Sequence, residues 1–116
     1  MDIKKYRQRS RSDRPAPPTI KSYYSTSTSI KITWEYNTYP NAPVTGFILH
    51  HRVDGTPWQE THVAGERTMY TLHDLLCGTK YYCFLVATNS AGRGNSSEII
   101  STKTAGSCKL VLNKFR

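Results

Sequence analysis

Short runs of alternating apolar and polar residues dominate the chain from about residue 20 onward. In the clearest run, at 29–34, Ile and Trp at every second position alternate with Ser, Lys and Thr. Neighbouring side chains of a strand point to opposite faces of a sheet, so this pattern predicts a strand with one buried face. No segment shows the 3.6-residue period of an amphipathic helix. The pattern therefore indicates an all-β chain.

Turn-forming residues divide this pattern into seven strands. Asp54 and Gly55 are typical of a hairpin turn, and the segment 89–95, which contains Gly, predicts another turn. The predicted strands lie near residues 20–22, 29–34, 47–51, 58–63, 69–72, 80–88 and 98–103. Short strands in this number, without the helices that connect parallel strands, predict a seven-stranded antiparallel β-sandwich.

The alternation also assigns strand residues to the core or to the outer face. The residues predicted to form the core are Ile30, Ile32, Trp34, Phe47, Leu49, Leu72, Leu75, Tyr81, Cys83, Leu85 and Ala87. The residues predicted to face outward on the larger sheet are Ile48, His50, Tyr82, Phe84 and Val86. An exposed apolar patch of this kind is typical of contacts between protein modules. The alternative is that apolar residues of the C-terminal tail cover the patch.

The net charge of +8 is concentrated at the two ends of the chain. Residues 1–14 hold six basic and two acidic residues, 108–116 hold three basic and no acidic ones, and 15–107 hold seven and six. We therefore interpret 1–14 as a disordered basic tail, 15–107 as the folded domain and 108–116 as a second basic tail. The nearly neutral domain argues against a nucleic-acid surface.

No membrane span and no secretory signal are expected in this chain. The longest apolar runs are far shorter than the roughly 18 residues of a transmembrane helix, and the first 14 residues are charged. If the domain works outside the cell, it is expected to be a fragment of a larger exported protein.

Several short motifs resemble the fibronectin type III family, in the order in which that family has them. The run Ile30–Trp34 resembles the second strand, and Val44–Leu49 resembles the third. The residues Leu75, Gly78, Thr79 and Tyr81 resemble the family's corner, and Leu85, Ala87, Asn89 and Gly92 resemble its sixth strand. The resemblance covers about residues 15–105 and implies a Tyr81 hydroxyl bonded to a backbone acceptor. An immunoglobulin domain does not fit, because no Cys precedes Cys77.

The corner 75–79, where Cys77 replaces the usual Pro, and the segment 89–95 look like the fibronectin repeats of Dscam-type (Down syndrome cell adhesion molecule) receptors. This resemblance implies an immunoglobulin-superfamily receptor with a single membrane span, acting in homophilic adhesion and axon guidance. In such receptors the fibronectin repeats serve mostly as a stalk. A partner cysteine is expected just before the third strand, where this chain has Ala42 and Pro43.

The chain has an odd number of cysteines, three, so at least one is unpaired within it. Cys83 is predicted to be a buried free thiol. A Cys77–Cys83 disulfide is not expected, since six strand residues separate the α-carbons by about 20 Å. The pairing of Cys77 and of Cys108 stays open.

Other candidate sites lie in predicted loops. Tyr36, Tyr39, Arg67 and Arg93 are candidates for a protein contact, because Tyr and Arg are frequent interface anchors. Asn95 begins the sequon Asn-Ser-Ser, a candidate for N-glycosylation.

No catalytic motif is found, and no cofactor or metal site is predicted. The function expected is a non-catalytic protein-interaction or spacer module of an extracellular adhesion receptor, with neighbouring modules or another receptor chain as partners and no nucleic acid. The alternative is a stand-alone cytoplasmic adaptor whose basic tails bind acidic partners. Free thiols at all three cysteines would favour that adaptor.

Overall fold

The computed structural model describes residues 14–36 and 43–106, in which all regular structure is β-strand. The strands are β1 (Thr19–Ser25), β2 (Ile30–Glu35), β3 (Gly46–Val53), β4 (Gln59–Ala64), β5 (Met69–Leu72), β6 (Lys80–Asn89), β7 (Gly92–Ser96) and β8 (Ile100–Lys103). In these two ranges we find no apolar helix of the length that a membrane span requires.

The strands form two antiparallel sheets. The smaller sheet has the order β1-β2-β5. The larger sheet has the order β4-β3-β6-β7, and β8 also pairs with β6. The predicted antiparallel β-sandwich is therefore confirmed, with eight strands in the described residues instead of seven.

The extra strand arises because the turn after β6 is shorter than predicted. The side-chain oxygen of Asn89 accepts the N–H of Ala91 at 2.8 Å, which closes a tight turn at Ser90 and Ala91. Gly92 follows with a φ of 128°, which favours glycine. The prediction of a turn over 89–95 was wrong, because β7 already pairs with β6 from Gly92.

A serine side chain separates β7 from β8. The Ser97 N–H donates to the Leu85 carbonyl at 2.8 Å, and the Leu85 N–H donates to Ser97 Oγ at 2.9 Å. A hydroxyl oxygen thus takes the place of a backbone carbonyl, and the regular ladder stops and begins again at Ile100. Ser97 is buried, so this pair of bonds is shielded from water.

The core lies between the two sheets. Ten of the residues predicted for it are buried there, namely Ile30, Ile32, Trp34, Phe47, Leu49, Leu72, Tyr81, Cys83, Leu85 and Ala87. Leu75 is half-buried and packs against the core, and Val63, which was not predicted, is buried in it. The Trp34 ring meets the Phe47 ring edge-on, with centroids 5.3 Å apart.

Tyr81 fastens the loop between β5 and β6. Its hydroxyl accepts the N–H of Leu76 at 2.8 Å, so the hydroxyl is bonded to the backbone as an acceptor, and not as the donor that the resemblance implied. Gly78, with a φ of 58°, turns the chain in the same loop. The bond holds the loop against the sheet from which Tyr81 projects.

Candidate functional site

The outer face of the larger sheet is arranged in rows that cross neighbouring strands. From β4 through β3 to β6, the first two rows are His62–Ile48–Val86 and Glu60–His50–Phe84. The next row places Arg52 of β3 beside Tyr82 of β6, and the last places Lys80 of β6 beside Lys103 of β8. Side chains in one row lie on the same face, so this register decides which of them can meet.

The prediction of an exposed apolar patch on this face was wrong. Ile48 is 3% exposed, Val86 6% and His50 7%, and Tyr82 and Phe84 are half-buried. The period-2 pattern placed these residues on the correct face of the sheet. It gave no information about the long side chains of neighbouring strands that lie over them.

An ion pair crosses the face above the buried residues. Arg93 of β7 donates to both carboxylate oxygens of Glu60 on β4, at 2.8 and 3.2 Å. Arg93 pairs with Thr88 in the register, and Glu60 pairs with His50, so the line between them passes over the Ile48–Val86 row. The aliphatic part of Arg93 can therefore cover apolar surface while its charge stays in contact with water.

Aromatic rings cover the centre of the face. The His50 ring stacks on Phe84 with centroids 4.3 Å apart and an angle of 10° between planes. Trp58 meets the same Phe84 ring edge-on at 4.7 Å. Phe84 is thus in contact with two rings, one from β3 and one from the residue before β4, which explains why only part of it meets solvent.

Two cations extend this stack toward the end of the sheet where β8 finishes. The guanidinium of Arg52 lies 4.8 Å from the Trp58 ring centroid and 5.6 Å from that of Tyr82. Lys80 Nζ lies 5.4 Å from the same Tyr82 centroid. Contacts of this geometry are cation–π interactions, which hold a cation in place without neutralising its charge.

Glu60 is the electrostatic centre of the other half of the face. Its hydrogen bonds from Arg93 hold the pKa of its carboxyl below the ordinary value of 4.5, and the charges of Arg93 and His50 act in the same direction. The same contact raises the pKa of Arg93. His50 Nε2 and His62 Nε2 lie 3.3 and 4.0 Å from Glu60 oxygens. In the described ranges no three His, Cys, Asp or Glu side chains gather as metal ligands would.

The candidate loop residues that the structure describes do not form one surface. Tyr36 is half-buried and packs edge-on against Phe47 at 5.7 Å, and Tyr39 lies outside the described residues. Arg67 is exposed in the turn between β4 and β5. Arg93 is a strand residue bound to Glu60, so its prediction as a loop residue was wrong.

The sequon and the cysteines occupy distinct environments. Asn95 is exposed on β7, a strand at the edge of the sheet, and not in a turn. Cys83 is a free, buried thiol, and burial raises its pKa to about 12, so it is protonated at neutral pH. Cys77 is disulfide-bonded, and Cys108 lies outside the described residues.

The fold and its outer face define a class of protein module. The two sheets, the core Trp34 and the Tyr81 corner are those of a small antiparallel sandwich domain. The family model described as the fibronectin type III domain matches residues 15–103. The chain therefore belongs to the fibronectin type III domain family.

Similar proteins include several cell adhesion molecules. Mouse and human cell adhesion molecule DSCAML1 are each 33% identical over 93 residues, which is 79% of this chain and 4% of theirs. Drosophila melanogaster cell adhesion molecule Dscam1 is 25% identical over 92 residues, 79% of this chain and 5% of its own. The chain thus spans only one small part of these relatives. The resemblance to Dscam-type fibronectin repeats is confirmed.

Solved structures support the same fold. The FN1-FN3 domains of chicken CNTN1 match with a TM-score of 0.71 and 24% identity, over 81% of this chain and 34% of that one. A myokine structure matches with a TM-score of 0.68 and 20% identity, over 79% of this chain and 99% of that one.

Proposed function

We propose that this domain is a non-catalytic spacer and protein-contact module of a cell adhesion receptor. The observation that carries the proposal is that the chain enters and leaves the domain at opposite ends. Thr19 pairs with Glu35 at one end of the β1–β2 hairpin, and the Ala105 N–H donates to the Thr26 carbonyl at the other, at 3.0 Å. The seven residues of β1 span about 20 Å, so the module adds length between whatever precedes and follows it.

The relatives support the class of receptor. DSCAML1 and Dscam1 are cell adhesion molecules. The Dscam-type resemblance of the sequence implies homophilic adhesion and axon guidance, and we extend these roles to the receptor that contains this domain. Those activities belong to whole receptors, and the contribution proposed for this domain is spacing together with side contacts. Its partners are neighbouring modules or another receptor chain.

The chemistry of two residues supports the extracellular side of the plasma membrane. Cys77 is disulfide-bonded, and disulfides persist mainly in oxidising compartments. Asn95 is exposed and heads a sequon, so a glycan at this position would be solvated. A cytoplasmic adaptor would have a reduced Cys77, and the basic tails on which that alternative depends lie outside the described residues.

The experiment combines surface biotinylation with an antibody raised against residues 15–107. On blots of the source tissue, the proposal expects a biotinylated band far above the 13.2 kDa of this chain, shifting after glycosidase treatment. An unlabelled band near 13.2 kDa would overturn it and support the cytoplasmic adaptor.

A further inference from the structure

Two lysines face each other on the outer face of the larger sheet. Lys80 of β6 and Lys103 of β8 are direct partners in the antiparallel register, and both are exposed. Like charges placed directly opposite each other in a sheet are destabilising. Unfavourable contacts of this kind, which reduce stability, are typical of surfaces whose residues bind a partner.

Arg52 brings a third cation to the same end of the face. Its guanidinium is held between the Trp58 and Tyr82 rings, and its Nη1 donates to the Thr56 carbonyl at 3.3 Å. The guanidinium is therefore fixed in position, with a charge that these ring contacts do not neutralise.

No carboxylate neutralises these three cations in the described ranges. The ion pairs there join Lys21 to Glu35, and Glu60 to Arg93, His50 and His62. The domain as a whole is nearly neutral, with seven basic and six acidic residues over 15–107. The local excess of positive charge therefore comes from the placement of the charges. Among the described residues, Glu60 pairs with Arg93, His50 and His62, and no carboxylate pairs with Arg52, Lys80 or Lys103.

We propose that Arg52, Lys80 and Lys103, which we name the basic cluster, bind a sulfated polysaccharide chain. Arg52 stands one row before the Lys80–Lys103 pair, and the cluster crosses β3, β6 and β8, which at about 4.8 Å between strands spans about 10 Å. A linear polyanion can place successive sulfate groups along such a span, and the Tyr82 ring, which both Arg52 and Lys80 contact, holds two of the cations in position for it.

The position of the basic cluster on the face of the sheet favours a polysaccharide over an acidic peptide. Peptides commonly gain affinity from the hydrogen bonds of a strand edge or from side-chain pockets. The basic cluster lies on the face of the sheet, where a ligand meets mainly the fixed positive charges. The inference does not depend on the adhesion role, since it stands on these contacts alone.

The test uses the complete 116-residue chain and heparin as the probe. The variant Lys80→Gln with Lys103→Gln removes two charges from exposed positions. The matched control, Lys31→Gln with Arg67→Gln, removes two exposed charges elsewhere, on β2 and in the β4–β5 turn. We expect the first variant to elute from immobilised heparin at lower salt, while the control elutes with the unmodified chain. By analogy with nucleic acids, the salt slope falls by about 0.7–0.9 for each cation lost.

A second measurement locates the site without mutation. Titration of the unmodified chain with a heparin oligosaccharide, followed by amide NMR shifts, is expected to perturb residues 80–82 and 101–103, and fully desulfated heparin is expected not to. Equal loss in both double variants, or shifts confined to the basic tails, would overturn the proposal. Binding of a glutamate-rich peptide at the same residues with equal affinity would also overturn it, in favour of an acidic protein partner.

Discussion

Arg93 and Glu60 are joined by two hydrogen bonds across the full width of the larger sheet. They belong to β7 and β4, which the sheet order separates by β6 and β3. The pair bridges the Ile48–Val86 row, and both of those side chains are almost inaccessible to solvent. This ion pair stabilises the fold more by covering the apolar side chains below it than by the attraction between its charges, because water screens that attraction.

The contribution of Glu60 to stability should depend on pH. Its pKa is lowered in the folded state, so its stabilising effect is present above the ordinary value of 4.5 and is lost as the pH falls through the lowered pKa. We expect Glu60→Gln to lower the urea midpoint at about pH 7 and to match the unmodified chain at about pH 2. The groups that face Glu60 are Arg93, His50 and His62. Glu66→Gln, an exposed control, should show no such convergence, and an identical pattern in both variants would contradict the assignment.

A charge at position 48 should not be tolerated. Ile48→Glu places a carboxylate beneath Arg93, at a site that is 3% exposed, and Arg93 is already bonded to Glu60. We expect a loss of about 2 kcal/mol or more in the free energy of unfolding, measured by urea denaturation. Tyr24→Glu, at a position 69% exposed on β1, should change it by less than about 0.5 kcal/mol. An unchanged midpoint for Ile48→Glu would show that the bridge does not cover this position in solution.

The core could be predicted from the sequence because period-2 alternation decides which face a strand residue occupies. Trp34, Leu49 and Leu85 lie inside because each sits in phase with apolar neighbours on its own strand. The same rule placed Ile48 and Val86 outside the core correctly. It could not show that they are covered, because the cover comes from Arg93 on β7, which lies next to the strand of Val86 and two strands from that of Ile48.

The sequence could not predict the basic cluster or the interruption between β7 and β8, and the two failures have related causes. Lys80 and Lys103 are 23 positions apart, and only the register of β8 on β6 makes them neighbours. The interruption at Ser97 depends on one hydroxyl that replaces a carbonyl, and a serine in a polar segment gives no signal of that. Interactions fixed by register between distant segments are not encoded in local periodicity.

Removing the Trp34 side chain should be among the most damaging single changes. The ring is 2% exposed and meets Phe47 at 5.3 Å, so Trp34→Ala leaves a cavity that the two sheets cannot close fully. We expect a loss of about 3–5 kcal/mol in the free energy of unfolding, from chemical denaturation followed by far-UV circular dichroism. Trp58→Ala, on the half-buried outer face, should cost less. A larger loss for Trp58 would mean that the outer stack stabilises the fold more than the core ring does.

The hydroxyl of Tyr81 should contribute measurably to stability. Tyr81→Phe keeps the buried ring but leaves the Leu76 N–H without its partner. The expected loss in the free energy of unfolding is about 0.5–1.5 kcal/mol, because this hydrogen bond is only partly buried, with faster hydrogen exchange at the Leu76 amide. Tyr24→Phe, which removes an exposed hydroxyl, serves as the matched control. Equal midpoints for Tyr81→Phe and the unmodified chain would argue that water replaces the hydroxyl without loss.

The first and last residues of the sequon should have different roles, Asn95 as the site of modification and Ser97 as a structural residue. In cells that secrete the domain behind an added signal sequence, Asn95→Gln should abolish a glycosidase-sensitive mass shift and leave the unfolding midpoint of the deglycosylated protein unchanged. Ser97→Ala should abolish the same shift but also cost about 1–3 kcal/mol, because the buried Leu85 N–H loses its acceptor.

Ser97→Thr provides the control for that pair of variants, since it keeps both the sequon and a hydroxyl. It should restore the mass shift, and it should recover stability to the extent that the added methyl group fits the buried site. If Ser97→Ala were as stable as Asn95→Gln, the Ser97 hydroxyl would not be the group that holds β7 and β8 against β6. If no shift appeared in the unmodified domain, Asn95 would be an exposed edge residue without a glycan.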